Sequence, residues 1–326
     1  LQAKSFIRQI ASKGAAGPFI GLLAVYLLFA FIGPSTIFSL RTVQAIVRQS
    51  AIVGVTAIGM TIVIIGGGID LSVGSIVALT TVCIAFTLQA GFSPLLAILA
   101  AIVVGVLCGS FNGVLITKLK VVPFIVTLGS LLVFRGIAKG ASGEQKVDAP
   151  LTWLNEFLAV LNQNQNWQLF PSGVWIMLLL AIAVFVLLHY TRFGLHVFAL
   201  GSNEKTAILC GVPVDRIKGL LYVLSGFFAG IAGILQFSRL TVGDPTAAFG
   251  LELEAIAAVV IGGGSLKGGE GSILGTIFGA LLMTTIRSGC SQIGLANWVQ
   301  EIIMGTIIII AVTLDQLRHF RISRKN

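Results

Sequence analysis

LLAILAAIVVGVLCGSFNGVLIT, residues Leu95–Thr117, runs for 23 positions without a charge. As an α-helix it covers about 34 Å, enough to cross the roughly 30 Å hydrocarbon layer of a bilayer. Comparable apolar runs flank it on both sides: Gly14–Gly33, Ala51–Ile65, Leu71–Ala90, Gly173–Tyr190, Leu220–Phe237, Gly275–Ile286 and Ile302–Leu314. Across 326 residues the chain is 56% apolar and 10% charged, against about 25% charged in an average soluble domain. Lipid offers no partner for free backbone groups, so these runs are predicted as spanning helices.

Ten spans are predicted, at 16–33, 45–66, 71–90, 95–116, 123–138, 172–191, 218–238, 251–264, 272–287 and 298–315. The expected fold is therefore an all-α integral membrane protein, one domain over 1–326, with both termini on the cytoplasmic side. The polar stretch 139–171 divides it into a first bundle (1–138) and a second (172–326), the latter carrying a cytoplasmic loop over 192–218. With this topology 14 of the 21 Lys and Arg residues fall on the inner side, among them Lys4, Arg8, Lys13, Lys118, Lys120 and Arg324. The other 7 are outer: Arg41, Arg48, Arg135, Lys139, Lys146, Arg239 and Arg287. That asymmetry obeys the positive-inside rule and explains the net charge of +9 without any nucleic-acid partner. The first run lacks a small-residue cleavage site and is read as a retained helix, with the native start expected upstream of Leu1. Cys83, Cys108, Cys210 and Cys290 form no C-x-x-C pair and stand apart from His, which argues against zinc and disulfides.

Many of the 39 glycines lie inside spans, as at Gly105, Gly109 and Gly113 or Gly226, Gly230 and Gly233, where small residues let helices approach closely. Asn112, between two of them, is read as a hydrogen-bonding link to a neighbouring helix or as part of a polar path. A short repeat relates Gly66-Gly67-Gly68 and Gly74-Ser75-Ile76 to Gly262-Gly263-Gly264 and Gly271-Ser272-Ile273. Asp70 follows the first glycine run. A charge there is costly on a lipid face, so it is read as a cap for the next helix, together with Ser72, or as part of a gate with Gly67 and Gly68.

Three blocks carry a family resemblance. Ile64-Ile65-Gly66-Gly67-Gly68-Ile69-Asp70-Leu71-Ser72-Val73-Gly74-Ser75 resembles the G-G-I-D-L-S-V-G-S signature of ribose-type sugar permeases of ABC importers. The stretch from Glu252 to Gly269 is similar to that family's E-L-D-A-I-A-A-V-V-I-G-G-x-S-L-x-G-G, with Glu254 in place of Asp. Thr191-Arg192-Phe193-Gly194, running on through Gly201-Ser202-Asn203 to Gly211-Val212, resembles its central cytoplasmic loop. The resemblance implies a bacterial inner-membrane permease that pairs with a second permease copy or a homologous one. It also implies two partners, an ABC ATPase subunit and a periplasmic or extracellular sugar-binding protein, and import of a monosaccharide. On that basis the predicted short helix over Asn203, Glu204, Ala207 and Gly211 is the coupling helix, with Ala207 and Gly211 expected to leave one face flat for the ATPase.

The chain holds no G-x-x-x-x-G-K-[ST] phosphate loop, paired nucleophile and base, or metal cluster, so it is read as a non-enzyme that needs no cofactor. Two rivals stand beside the sugar permease: an ion-coupled secondary transporter, which needs intramembrane charges, and an ABC permease for branched-chain amino acids. The outer arginines Arg41, Arg48, Arg135, Arg239 and Arg287 stand against the insertion bias, and are read as docking the binding protein or as anchors to membrane lipid phosphates.

Overall fold

A computed structural model describes residues 16–34, 37, 39–160 and 169–323. Lys4, Arg8, Lys13, Arg324, Lys325 and residues 161–168 of the polar stretch lie outside the described residues. The predicted segments recur as helices α1 (Ala16–Ile32), α2 (Leu40–Ile65), α3 (Val73–Gln89), α4 (Pro94–Lys118), α5 (Pro123–Ser142) and α6 (Ser172–Tyr190). Two short helices follow, α7 (Arg192–Ser202) and α8 (Glu204–Leu209), then α9 (Val214–Leu240), α10 (Leu251–Ile261), α11 (Ile273–Gln292) and α12 (Asn297–Ser323). Their starts are written in the chain. Ser39, Ser93 and Ser272 accept the N–H of Thr42, Leu96 and Gly275, and Pro94 and Pro123 occupy first-turn positions where no N–H is needed.

Among the described residues six helices are long and apolar enough to cross a membrane: α2, α4, α5, α6, α9 and α11. This is a multi-pass membrane protein. α1, α3 and the 297–313 part of α12 are apolar but shorter. The predicted span 251–264 is an eleven-residue helix, about 16 Å long and half of what a crossing needs. It stops at Gly262, whose N–H returns to the Ala258 carbonyl, and Gly263 then turns the chain at φ +90°.

Burial sorts the helices into a centre and a periphery. The most apolar stretch of α2 is 89% buried, and those of α9 and α11 are 72% buried, whereas in α4 and α5 the share is 28%. The outward faces of the peripheral helices carry Leu132, Leu179 and Ile182, each about two-thirds exposed, as lipid contact requires. Helices from both sides of the polar stretch interleave: α9 packs against α2, α3 and α4, and α11 against α1, α2 and α10.

The closest packing joins α4 to α9. A side chain at Gly105 would strike the Gly226 carbonyl, one at Gly109 the Tyr222 carbonyl, and one at Gly113 the Gly219 backbone, so the two helices run antiparallel with backbones in contact. α10 and α11 pair in the same way, Gly279 lying on the Ala258 carbonyl and Gly275 on that of Gly262.

The two ends of the bundle differ. At one, β1 (Val147–Asp148) pairs antiparallel with β2 (Val242–Gly243), and Arg135 Nη1 donates to the carbonyls of Pro245 and Ala247 at 3.0 and 2.6 Å. Asp244 lies there beside Lys146 at 3.6 Å. Burial opposes its ionisation, but the Thr246 hydroxyl and N–H and the Lys146 ammonium outweigh it, holding the carboxyl below its ordinary range. At the other end lie α7, α8 and the two glycine loops.

Gly109→Ala and Gly226→Ala are each expected to cost about 1–3 kcal/mol by forcing α4 and α9 apart. Gly129→Ala and Gly136→Ala, which meet nothing within 4 Å, are expected to stay within about 0.5 kcal/mol of the unmodified protein. Thermal unfolding in detergent compares the two pairs.

Candidate gating and coupling site

The glycine run after α2 ends that helix with three backbone bonds, Gly66, Gly67 and Gly68 N–H returning to Ile62, Ile64 and Val63, with Gly67 at φ +80°. This turn places Asp70 beneath the bundle surface, 0% exposed. Its Oδ1 accepts from the Ser72 N–H at 2.9 Å and the Ser72 hydroxyl at 2.6 Å, and its Oδ2 from the Ser225 hydroxyl at 2.7 Å. Ser72 Oγ accepts in turn from Asn112 Nδ2 at 2.9 Å, and Asn112 Oδ1 from Ser130 Oγ at 2.6 Å. Donors therefore point one way along the chain, from Ser130 through Asn112 and Ser72 to the carboxyl, while Ser225 reaches it from the far side. α4, α5, α9 and the α2–α3 turn are tied at one point.

Among the described residues Asp70 has no cationic partner, and hydrogen bonds answer the cost of burying it. Ser72 holds the N-cap position of α3 but makes no side-chain cap bond. The cap reading therefore changes: Asp70 orders the turn before the helix through the Ser72 N–H, and the helix-start N–H groups are not its partners. Gly67 is exposed and Gly68 half-buried at the surface of this turn, where a side chain at Gly68 would strike the Tyr222 hydroxyl. The sequence marked Asp70, Ser72 and Asn112, which meet, and missed Ser130 and Ser225. Their signal was a hydroxyl in a membrane-length apolar run, and twenty-odd Ser and Thr residues share it.

The two repeated glycine loops lie against each other. The Gly269 N–H donates to the Ile65 carbonyl at 2.8 Å, Gly271 sits on the Ile65 side chain, and the Thr61 and Thr276 hydroxyls bond at 2.9 Å. Gly264 closes α10 on Val259 as Gly68 closes α2 on Val63, but Phe92, Val212 and Leu295 make the same kind of return bond. The shared turn is thus a general helix stop in this chain; the contact between the loops is the distinctive feature. Gly201, near the end of α7, wedges between them: any side chain there would collide with the Ile65 carbonyl and the Gly269 N–H.

The next helix forms as predicted. Asn203 Oδ1 accepts the Thr206 N–H at 3.0 Å to start α8, Glu204 pairs with Lys218 at 2.7 Å, and Gly211 at φ +79° ends it. Its orientation corrects the sequence reading. Ala207 is 3% exposed and faces inward, so Ala207 and Gly211 do not form a flat outward face. Leu209, 87% exposed, and Ile208, 55% exposed, point out instead. A six-residue helix can bury only one side, and its smallest residue takes the tight position.

The outer arginines do not share one environment. Arg48 Nη1 donates to the Leu158 carbonyl at 3.3 Å, Arg135 holds the 244–250 turn, and Arg287 pairs with Glu254. Arg41 and Arg239 remain exposed. Among the described residues no group of three His, Cys, Asp or Glu side chains is placed to hold a metal ion.

Residues 42–312 match the family described as the permease component of branched-chain amino acid transport systems. The chain belongs to this permease family. Among its relatives, the ribose import permease of Bacillus subtilis is 40% identical over 308 residues, covering 92% of this chain and 92% of that protein. The ribose import permease of Escherichia coli K12 is 36% identical over 296 residues (91% and 92%), and the fructose import permease of Rhizobium meliloti 38% over 315 (94% and 86%). No solved structure matches.

Asp70→Val, which leaves the donors of Ser72 and Ser225 buried without an acceptor, is expected to destabilise this permease by about 3 kcal/mol or more. Ser130→Ala, at the end of the chain, is expected to cost about 1 kcal/mol. Thermal unfolding in detergent gives the order, and equal losses would mean that the chain is not a connected unit.

Proposed function

We propose that this chain is the membrane permease subunit of an ATP-driven ABC importer that moves a monosaccharide across the bacterial cytoplasmic membrane. Its relatives along nearly the whole chain include ribose and fructose import permeases, which favours the sugar reading over branched-chain amino acids despite the family's description. Ten membrane segments with both termini cytoplasmic, the 242–250 stretch completing the crossing that the half-length α10 begins, fit the 14-to-7 distribution of basic residues. In that topology the α7–α8 end is cytoplasmic and the β1–β2 end faces the binding protein. Hydrolysis then belongs to a separate ATPase subunit, and two permease copies, or this one and a homologue, form the conduit.

The observation that carries the mechanism is the position of α7 and α8. Gly201 is packed between the ends of α2 and the 262–272 loop, while Ile208 and Leu209 are presented outward a few residues later. Two exposed apolar side chains on a six-residue helix at the polar end of a membrane bundle are a contact for another protein. The ATPase subunit grips Ile208 and Leu209, and its movement on ATP binding displaces α7. Gly201 passes that displacement to both glycine loops without a compressible side chain between. The Asp70 network ties the first loop to α4, α5 and α9, so these helices move with it. On the outer side, Arg41 is the exposed arginine placed to meet acidic groups of a binding protein.

Leu209→Asp is expected to lower transport and binding-protein-stimulated ATP hydrolysis at least tenfold in the reconstituted complex, with the melting temperature of the permease unchanged. Ala207→Trp is expected instead to lower the melting temperature, because its side chain is buried. Full coupling in Leu209→Asp would remove α8 from the ATPase contact. Sugar uptake by the permease alone under a proton or sodium gradient would assign it to the ion-coupled transporters.

A further inference from the structure

A second polar constellation lies toward the opposite end of the bundle, where α2, α9, α10 and α11 meet. These helices surround a small open cleft of about 130 Å³, lined by Gln49, Gln236, Arg239, Glu254 and Arg287, with Phe249 among its apolar residues. Its polar groups differ from the Asp70 network in one respect: they are not used up within the protein. Gln236, 5% exposed overall, lines the cleft, and among the described residues its carboxamide makes no hydrogen bond. Among them Gln49 makes none either, and Arg239 has neither a hydrogen bond nor an ion pair, while Glu254 is engaged by Arg287. Neither amide is sealed away from the cleft, so water or a ligand can partner it.

We infer that this cleft is the polar resting site in which the permease holds a neutral monosaccharide on its way from the outer face; the inference rests on the reading of the chain as a sugar permease. Each sugar hydroxyl both donates and accepts, which matches a set containing two carboxamides, a free guanidinium and a carboxylate already neutralised. The exposed ring of Phe249, 83% exposed, supplies an apolar surface for the C–H face of a sugar. A branched aliphatic side chain would leave Gln49 and Gln236 unpaired, so the site discriminates against the substrates named by the family description. The cleft lies on the side of the bundle away from α8, where the sugar arrives in the proposed topology. Coupling and cargo handling thus occupy opposite ends of α2 and α9.

The test reconstitutes the permease with its ATPase and supplies the binding protein preloaded with sugar or with deoxy analogues, at saturation. The number of sugars moved per ATP hydrolysed is the readout. Gln236→Leu and Arg239→Gln are each expected to lower that ratio about three- to ten-fold, the loss of one or two hydrogen bonds. For at least one deoxy analogue, the ratio is expected to be lower than for the sugar in the unmodified complex and equal to it in the variant. A purely structural residue would not alter this discrimination. Should Gln236→Leu fail to fold, Arg239→Gln, whose side chain is exposed, decides alone. An unmodified ratio and unmodified discrimination in the folded variants would overturn the assignment of the cleft while leaving the sugar-permease reading intact. Absence of ATP-dependent uptake of any monosaccharide by the unmodified complex would overturn both.

Discussion

Contact between the backbones of α4 and α9 is the constraint on which the rest of the bundle depends. In lipid, helices gain no hydrophobic driving force from pairing, so association rests on close packing and on polar groups that find partners across the interface. Gly105, Gly109 and Gly113 on one helix and Gly219, Gly226 and Gly230 on the other leave nothing between the two main chains. Asn112 is adjacent to Gly113, and Ser225 to Gly226. The approach that the glycines permit therefore also brings an amide and a hydroxyl to the turn that holds Asp70. Packing and polar satisfaction are one event here.

The two polar constellations have opposite accounts. Around Asp70 both carboxylate oxygens are engaged and the chain of donors is closed, so the network is rigid. In the cleft toward the far end, Gln49, Gln236 and Arg239 make no hydrogen bond among the described residues and face the open space. The difference is not one of residue type. It lies in whether neighbouring elements supply the missing donors and acceptors.

Two of the helices are short: α10 spans only eleven residues and α8 six, and each ends at a glycine turn. Where α7 meets the two glycine loops, Gly201, Gly268 and Gly67 bring main chains into direct contact.

Much of this was legible in the sequence. The ten apolar segments are helices, Asn203 and Gly211 bracket α8, and Asp70, Ser72 and Asn112 share a network, because charge-free length, capping residues and costly intramembrane polar groups act locally and can be read along the chain. The inward turn of Ala207 was not legible, since which side of a short helix is buried depends on neighbours distant in sequence. Nor was the half-length of α10: residues 251–264 are apolar throughout apart from two glutamates, and only the fold shows Glu252 and Glu254 buried among α3, α9 and α11. The sequence alone determined that the chain enters the membrane and roughly where its apolar helices lie. Tertiary structure alone decided which polar side chains are paired within the protein and which are left facing an open cleft, because pairing depends on distances between helices that no spacing along one helix contains.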